Sequence, residues 1–283
     1  DPYIETSEEA VNSVITVGVP GTFLVDSVPL LKHVPAWFPG ASFQRKAHRW
    51  HDLARRMLEM PCAEAKRNID AGTSMHSVVV ENLERIRTGR NNEAQAEEAV
   101  QNVSGTFYGT ASDTTMSTVA SCILGLLKNP HILRKAQAEL DLVIKAGHLP
   151  DLEDQSSLPY TTVIGKEALR WSDVVPIGKA HLLSLPTIPH LSSAEGEYKG
   201  YQIPAGALVI GNAWPMLHDE SVYEDPFEFS PDCFIDRATG KLDFRHACWS
   251  FGRRICPGRY VAFSAVWLAI VSLIYVFDLE KER

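Results

Sequence analysis

Residues 248–262 read CWSFGRRICPGRYVA, and their types and spacing suit one kind of chemistry. A thiolate ligand needs its negative charge stabilised. Arg254 stands two residues before Cys256, and the free N–H groups at the start of the apolar helix that follows add further positive potential. Gly252 and Gly258 let backbone approach a flat cofactor closely, with Phe251 beside them, and Pro257 suits a first helical turn. Trp249, Gly252, Arg254, Cys256 and Gly258 fall at the positions of an F-x-x-G-x-R-x-C-x-G loop, with Trp in the first aromatic place. Such a thiolate can hold haem iron. The plain alternative is a buried structural cysteine, and the arginines and glycines around Cys256 speak against it.

Three further clusters carry chemistry less specifically. TASDTT, residues 110–115, puts Asp113 and Thr114 inside a long helical pattern, where an Asp-Thr pair can hold and pass protons or simply face a neighbouring helix. KEALRW places Glu167 and Arg170 three apart on one helix face, a pairing worth little when exposed. Two histidines, His181 and His190, lie in a long stretch between that helix and a strand-like segment.

The elements that must position these groups are mostly helical. A helix is expected over residues 1–17, then a Pro-punctuated segment with Trp37 and Phe38 at its tip, able to pack inward or to meet a lipid surface. Helical period returns from Ser42 to about Ala71 with Arg45, Lys46, Arg49, Arg55 and Arg56, most simply a solvated face. Further helices are expected from Ser77 to Arg87, over the long stretch ended by Pro130, from Pro130 to a stop at Gly147, and from Tyr160 to Trp171. EYKGYQIPAGALVIGN reads as one small hairpin, and YEDPFEFSPDCFID as an irregular meander. Val261–Phe277 is apolar enough to border on a membrane span, but it is slightly short, carries Ser264 and Ser272, and follows the cysteine motif directly, so it reads as a core helix.

Composition bounds the rest. The 283 residues, 45% of them hydrophobic, suffice for a sizeable core, and a net charge of −8 argues against nucleic acid as the main partner. Five scattered cysteines without CxxC spacing suggest neither a disulfide frame nor a zinc site. The chain opens on Asp1 with a helix under way and without the pattern of a signal peptide, as a piece of something longer would.

On the cysteine loop, TASDTT and KEALRW, the sequence resembles the cytochrome P-450 superfamily of haem-thiolate monooxygenases over essentially its whole length, matching the family's C-terminal portion. PGTFLVD, EYKGYQIPAG and the loop wording are most similar to fungal microsomal members, with Ser250 where a Gly often opens the last run. The resemblance implies a mainly α fold with a small β element, here a single N-terminally truncated domain over 1–283. It also implies haem b ligated by Cys256 and propionates held by Arg254 and by His181 or His190. Proton delivery would fall to Asp113 and Thr114, on a helix bulged to admit oxygen and water. In the family the E-x-x-R pair is buried and locks to an arginine from the meander in P-x-R-F. Here that run reads Pro231-Asp232-Cys233-Phe234, so Cys233 stands in the arginine's place. The family's P-x-G-x-x-H leads into the β segment, and about nine or ten residues are extra here. GKAHLLSLPT, residues 178–187, reads as an insertion such as a retained intron would leave.

The implied reaction is insertion of one oxygen atom from dioxygen into a small hydrophobic substrate. Electrons would come from an NADPH-dependent flavoprotein reductase at the cytosolic face of the endoplasmic reticulum, the longer protein resting on that membrane surface. Two alternatives stand beside it. One is a haem-thiolate enzyme that uses peroxide or isomerises its substrate, which Asp113 and Thr114 disfavour. The other is a truncated or mis-spliced product without stable haem binding, which Cys233 and the insertion favour.

Overall fold

The computed structural model describes residues 2–17, 21–89, 93–174, 190–235 and 245–281. Two compact units divide the chain, Asp1–Ser112 and Asp113–Arg283. The described residues are mostly helical, with four short strands.

In the first unit, α1 (Pro2–Val17) packs on α3 (Ser42–Asp70). Between them a short helix α2 (Leu24–Ser27) and a 3₁₀ turn (Pro29–His33) bury no residue. The Ser77 hydroxyl accepts from the Val80 amide and so starts α4 (Val78–Thr88), whose Val80 and Leu83 meet Ala65 of α3 in a small core. The long helix α5 (Glu93–Lys128) begins in this unit and ends in the other.

The second unit holds the main core. Proline occupies the first helical turn of both α6 (Pro130–Val143) and α7 (Pro159–Trp171), where its missing N–H removes no hydrogen bond. These helices and the end of α5 pack with α10 (Arg259–Val276) around Leu126, Leu140, Ile164, Trp267 and Ile270. Trp267 is fully buried and donates its indole N–H to Thr162 Oγ1 at 3.1 Å. Although α10 is long and apolar enough to cross a membrane, its Val266, Trp267, Ile270, Val271 and Ile274 are buried, in contact with α6 and α7.

Two expectations are corrected here. The α6 helix stops at Val143, short of Gly147, because Ile144 turns extended and buries its side chain in the core. The β segment is two pairs, not one hairpin. Strand β2 (Gly196–Tyr198) pairs antiparallel with β3 (Tyr201–Ile203) across Lys199 and Gly200, both at positive φ as a tight two-residue turn requires. Outside it β1 (His190–Leu191) pairs with β4 (Leu208–Val209), and α8 (Ala213–Leu217) follows. Another short helix, α9 (Arg245–Cys248), precedes the cysteine loop.

Candidate functional site

Glu167 and Arg170 face inward from α7, at 0% and 3% exposure. The guanidinium is bidentate on the carboxylate, Nε to Oε2 at 2.7 Å and Nη2 to Oε1 at 2.6 Å. Its remaining N–H groups donate to the carbonyls of Leu217 (3.0 Å), Pro226 (2.7 Å) and Glu228 (3.1 Å), and its plane lies over the Tyr223 ring. The Ser230 amide donates to Glu167 Oε1 at 2.8 Å. Cys233 takes the third place in this arrangement, its thiol 3.7 Å from Glu167 Oε2. A buried pair stabilises only when its remaining donors and acceptors are met, and here backbone from the meander meets them.

Burial pushes the Glu167 carboxyl above its ordinary range, and Arg170, the Ser230 amide and the Cys233 thiol pull it back only in part. Burial also opposes the charge on Arg170, but the Glu167 carboxylate overrides it and holds the guanidinium above its usual value. These directions oppose each other across one pair. The geometry decides for the charged pair. Four donors already converge on the two carboxylate oxygens, and a carboxyl proton would have to point at one of them.

A second carboxylate fixes α7 from outside. Glu139 of α6 accepts from the amides of Tyr160 and Thr161, at 2.8 Å each, and from the Thr161 hydroxyl at 2.7 Å. It thereby caps the N-terminus of the helix that carries Glu167 and Arg170.

The cysteine loop closes on itself: the Cys256 amide donates to Trp249 O at 2.8 Å, the Ile255 amide to Gly252 O at 3.2 Å, and the Arg254 amide to Phe251 O at 3.3 Å. Two residues of this turn are left-handed, Ser250 at φ +66 and Gly252 at φ +59. Gly252 suits that conformation, and a Cβ there would find no atom within 4 Å; Ser250 is strained in it. Phe251 lies over Gly211, where a Cβ would come within 2.6 Å of the ring. Cys256 is a free, half-buried thiol three residues before α10 begins. Arg259 donates to the Cys256 carbonyl at 3.2 Å. Arg253 and Arg254 are exposed, and no ion pair among the described residues engages either.

Asp113 is exposed and Thr114 half-buried on α5, whose Thr118 hydroxyl donates to Thr114 O at 2.9 Å. Helix α5 runs unbroken through residues 110–115, so the expected bulge is corrected. Ala111 favours the regular helix more than Gly does, and the hydroxyls of Thr110 and Ser112 bond back to Thr106 O and Tyr108 O within it. His190 is half-buried in β1, opposite Val209. His181 and the expected insertion at 178–187 lie outside the described residues.

The structure thus joins Glu167, Arg170 and Cys233 in one cluster and forms Phe251, Gly252, Arg254, Cys256 and Gly258 into one loop. Sequence reasoning missed Glu139 and the meander carbonyls: a cap supplied by another helix and a backbone acceptor leave no local pattern.

The family model for cytochrome P450 matches residues 8–283. The chain belongs to the cytochrome P450 family. It is 42% identical to cytochrome P450 monooxygenase 98 of Postia placenta, over 100% of this chain and 53% of that protein. It is 40% identical to a cytochrome P450 monooxygenase of Armillaria gallica, over 99% and 53%. It is 36% identical to the tryptamine 4-monooxygenase of Psilocybe cyanescens, over 99% and 54%. The chain spans about half the length of these curated relatives. Cytochrome P450 membership implies a haem-iron cofactor, and the donor set fits one: a free thiol before a helix N-terminus, cations beside it that no ion pair among the described residues engages, and an open face at Gly252.

Proposed function

We propose that this chain is the haem-binding part of a monooxygenase that inserts one oxygen atom from dioxygen into a small hydrophobic substrate. The observation that carries the reading is the Cys256 loop, a free thiol before α10 flanked by the exposed Arg253 and Arg254. Haem b, when bound, supplies the oxygen-activating chemistry. Cys256 holds it as a thiolate, its charge stabilised by Arg254 and the N-terminal amides of α10. Arg254 and one of His181 or His190 hold the propionates. Pro176-Ile177-Gly178-Lys179-Ala180-His181 reads P-x-G-x-x-H as it stands, and excising residues 179–187 would give the same run on His190, which β1 carries. Asp113 and Thr114 hold and pass protons. Electrons come from an NADPH-dependent flavoprotein reductase, at the cytosolic face of the endoplasmic reticulum. We read both units as parts of one domain, because the family match runs through them.

The reduced, carbon-monoxide-bound absorption spectrum tests the ligand. The chain should show a red-shifted Soret band of thiolate type, and Cys256→Ser should abolish it, because a serine hydroxyl does not ionise to replace the thiolate. A band retained in the serine variant overturns the assignment; no haem absorbance in the parent chain points to the inert product. In the whole protein, Thr114→Ala should divert roughly tenfold more reducing equivalents into peroxide, measured as product formed per NADPH consumed.

A further inference from the structure

Among the described residues the second unit has two ion pairs, and both lead to one short turn. Glu167–Arg170 is the buried one, and its carboxylate faces the Cys233 thiol at 3.7 Å. Lys135–Asp232 is the exposed one, at 2.7 Å, and joins α6 to the 3₁₀ turn Pro231–Phe234. Asp232 and Cys233 are neighbours on that turn, so one side of it is tied to α6 and the other to α7. The tie to α6 spans 97 residues, the widest separation of any ion pair among the described residues.

The two ties differ in strength. A thiol is a weak donor without charge, so Cys233 holds Glu167 loosely. Lys135 is held from two directions. Its ammonium donates to Asp232 Oδ1 and stands over the Tyr160 ring, 3.9 Å from the centroid. The Asp232 carboxylate also keeps that ammonium charged to higher pH than usual. Glu139, four residues on and on the same face of α6, accepts the amides of Tyr160 and Thr161. One turn of α6 therefore touches both halves of the buried cluster: Glu139 takes the start of α7, and Lys135 takes the turn that carries Cys233.

The side chains of Lys135 and Asp232 are 52% and 59% exposed, and a pair so wet adds little to the stability of a whole fold. Its effect is local, on the four-residue turn at its end. We propose that Lys135 is a positioning residue of the buried cluster: through Asp232 it keeps the turn closed, so that Cys233 stays against Glu167, and it supplies from α6 the hold that the thiol gives only weakly. The inference concerns the Glu167–Arg170 cluster and does not depend on the Cys256 assignment.

Pulsed alkylation with iodoacetamide tests it, the rate at each cysteine being read by mass spectrometry of its peptide. Lys135→Met and Asp232→Asn should each raise the rate at Cys233 about fivefold, the upper end of what an exposed pair supplies. Removing a cation near a thiol disfavours the reactive thiolate, so a faster rate reports an opened turn and not a changed charge. Lys135→Arg keeps the cation and should stay within about twofold of the parent chain. Cys122, fully buried in the core, is the control for general loosening and should keep its rate in every variant. An unchanged Cys233 rate in Lys135→Met overturns the proposal, as does a rise at Cys122 by the same factor. A second measurement uses coupling: in the Cys233→Arg background, Lys135→Met should lower the thermal midpoint by roughly half as much as in the parent chain, or less. Equal losses in the two backgrounds would show that Lys135 does not make up for the missing hold at residue 233, and would overturn the proposal too.

Discussion

The α7 cluster and the cysteine loop lie in the same unit and are built on opposite plans. Around Glu167 and Arg170 every donor points at a named acceptor, both side chains are buried, and the partners are drawn from residues 217 to 233. Around Cys256 the backbone is closed by short-range bonds, but the arginines face solvent and Ser250 sits in a conformation that L side chains avoid. The first arrangement holds the meander in place. The second keeps its charged groups outward, and its turn holds Ser250 left-handed, as the meander holds Asp225. Stability and ligand binding are therefore assigned to different residues, and substitutions should separate them.

The largest effect should come from Glu167→Ala. Removing one partner of a buried pair leaves an uncompensated charge, worth about 3 to 5 kcal/mol. The three carbonyls on Arg170 remain, so the loss should fall near the lower figure. Chemical denaturation measures it, and a loss below that of a surface substitution would mean that the meander is held by other contacts.

Cys233→Arg should act in the opposite direction. The thiol is a weak donor to Glu167, whereas a guanidinium would add charge-assisted hydrogen bonds. Part of that gain is lost to desolvating the new cation, which leaves about 1 to 2 kcal/mol. Thermal unfolding of the two forms compares them. A lower midpoint with arginine would show that the meander has packed around the smaller thiol, where overpacking destabilises.

The smallest effect should be Ser250→Gly. Relief of one left-handed residue is worth about 1 kcal/mol, offset in part by the greater freedom of glycine in the unfolded chain. The midpoint should rise slightly, and the carbon monoxide band should keep its position. A fall in stability would mean that the Ser250 side chain contributes more than its backbone strain removes.

How much of this was legible beforehand follows from the range of each signal. Helices α3, α5 and α7 were placed within a residue or two, because Pro130, Pro159 and the apolar period mark them locally. The end of α6 was misplaced because Gly147 looks like a stop, whereas burial of Ile144 supplies the real one. Strands β1 and β4 have two residues each, too few to show alternation. The Cys256 loop was legible as a motif, but the left-handed turn at Ser250 was not, since serine gives no hint of positive φ. Trp37 and Phe38 could pack inward or face outward by sequence, and both are exposed in this chain.

The contacts of Arg170 have one more consequence, in polymer terms. Its bond to Leu217 joins residues 47 apart, and the bond from Ser230 to Glu167 joins residues 63 apart. The stretch 178–187, with its nine or ten extra residues, lies inside both closed loops. Loop-closure entropy rises only with the logarithm of length, so nine extra residues of plain chain oppose either closure by about 0.2 kcal/mol. Lengthening the connection leaves the lock almost indifferent, and a chain carrying the insertion should melt with nearly the same midpoint as one without it.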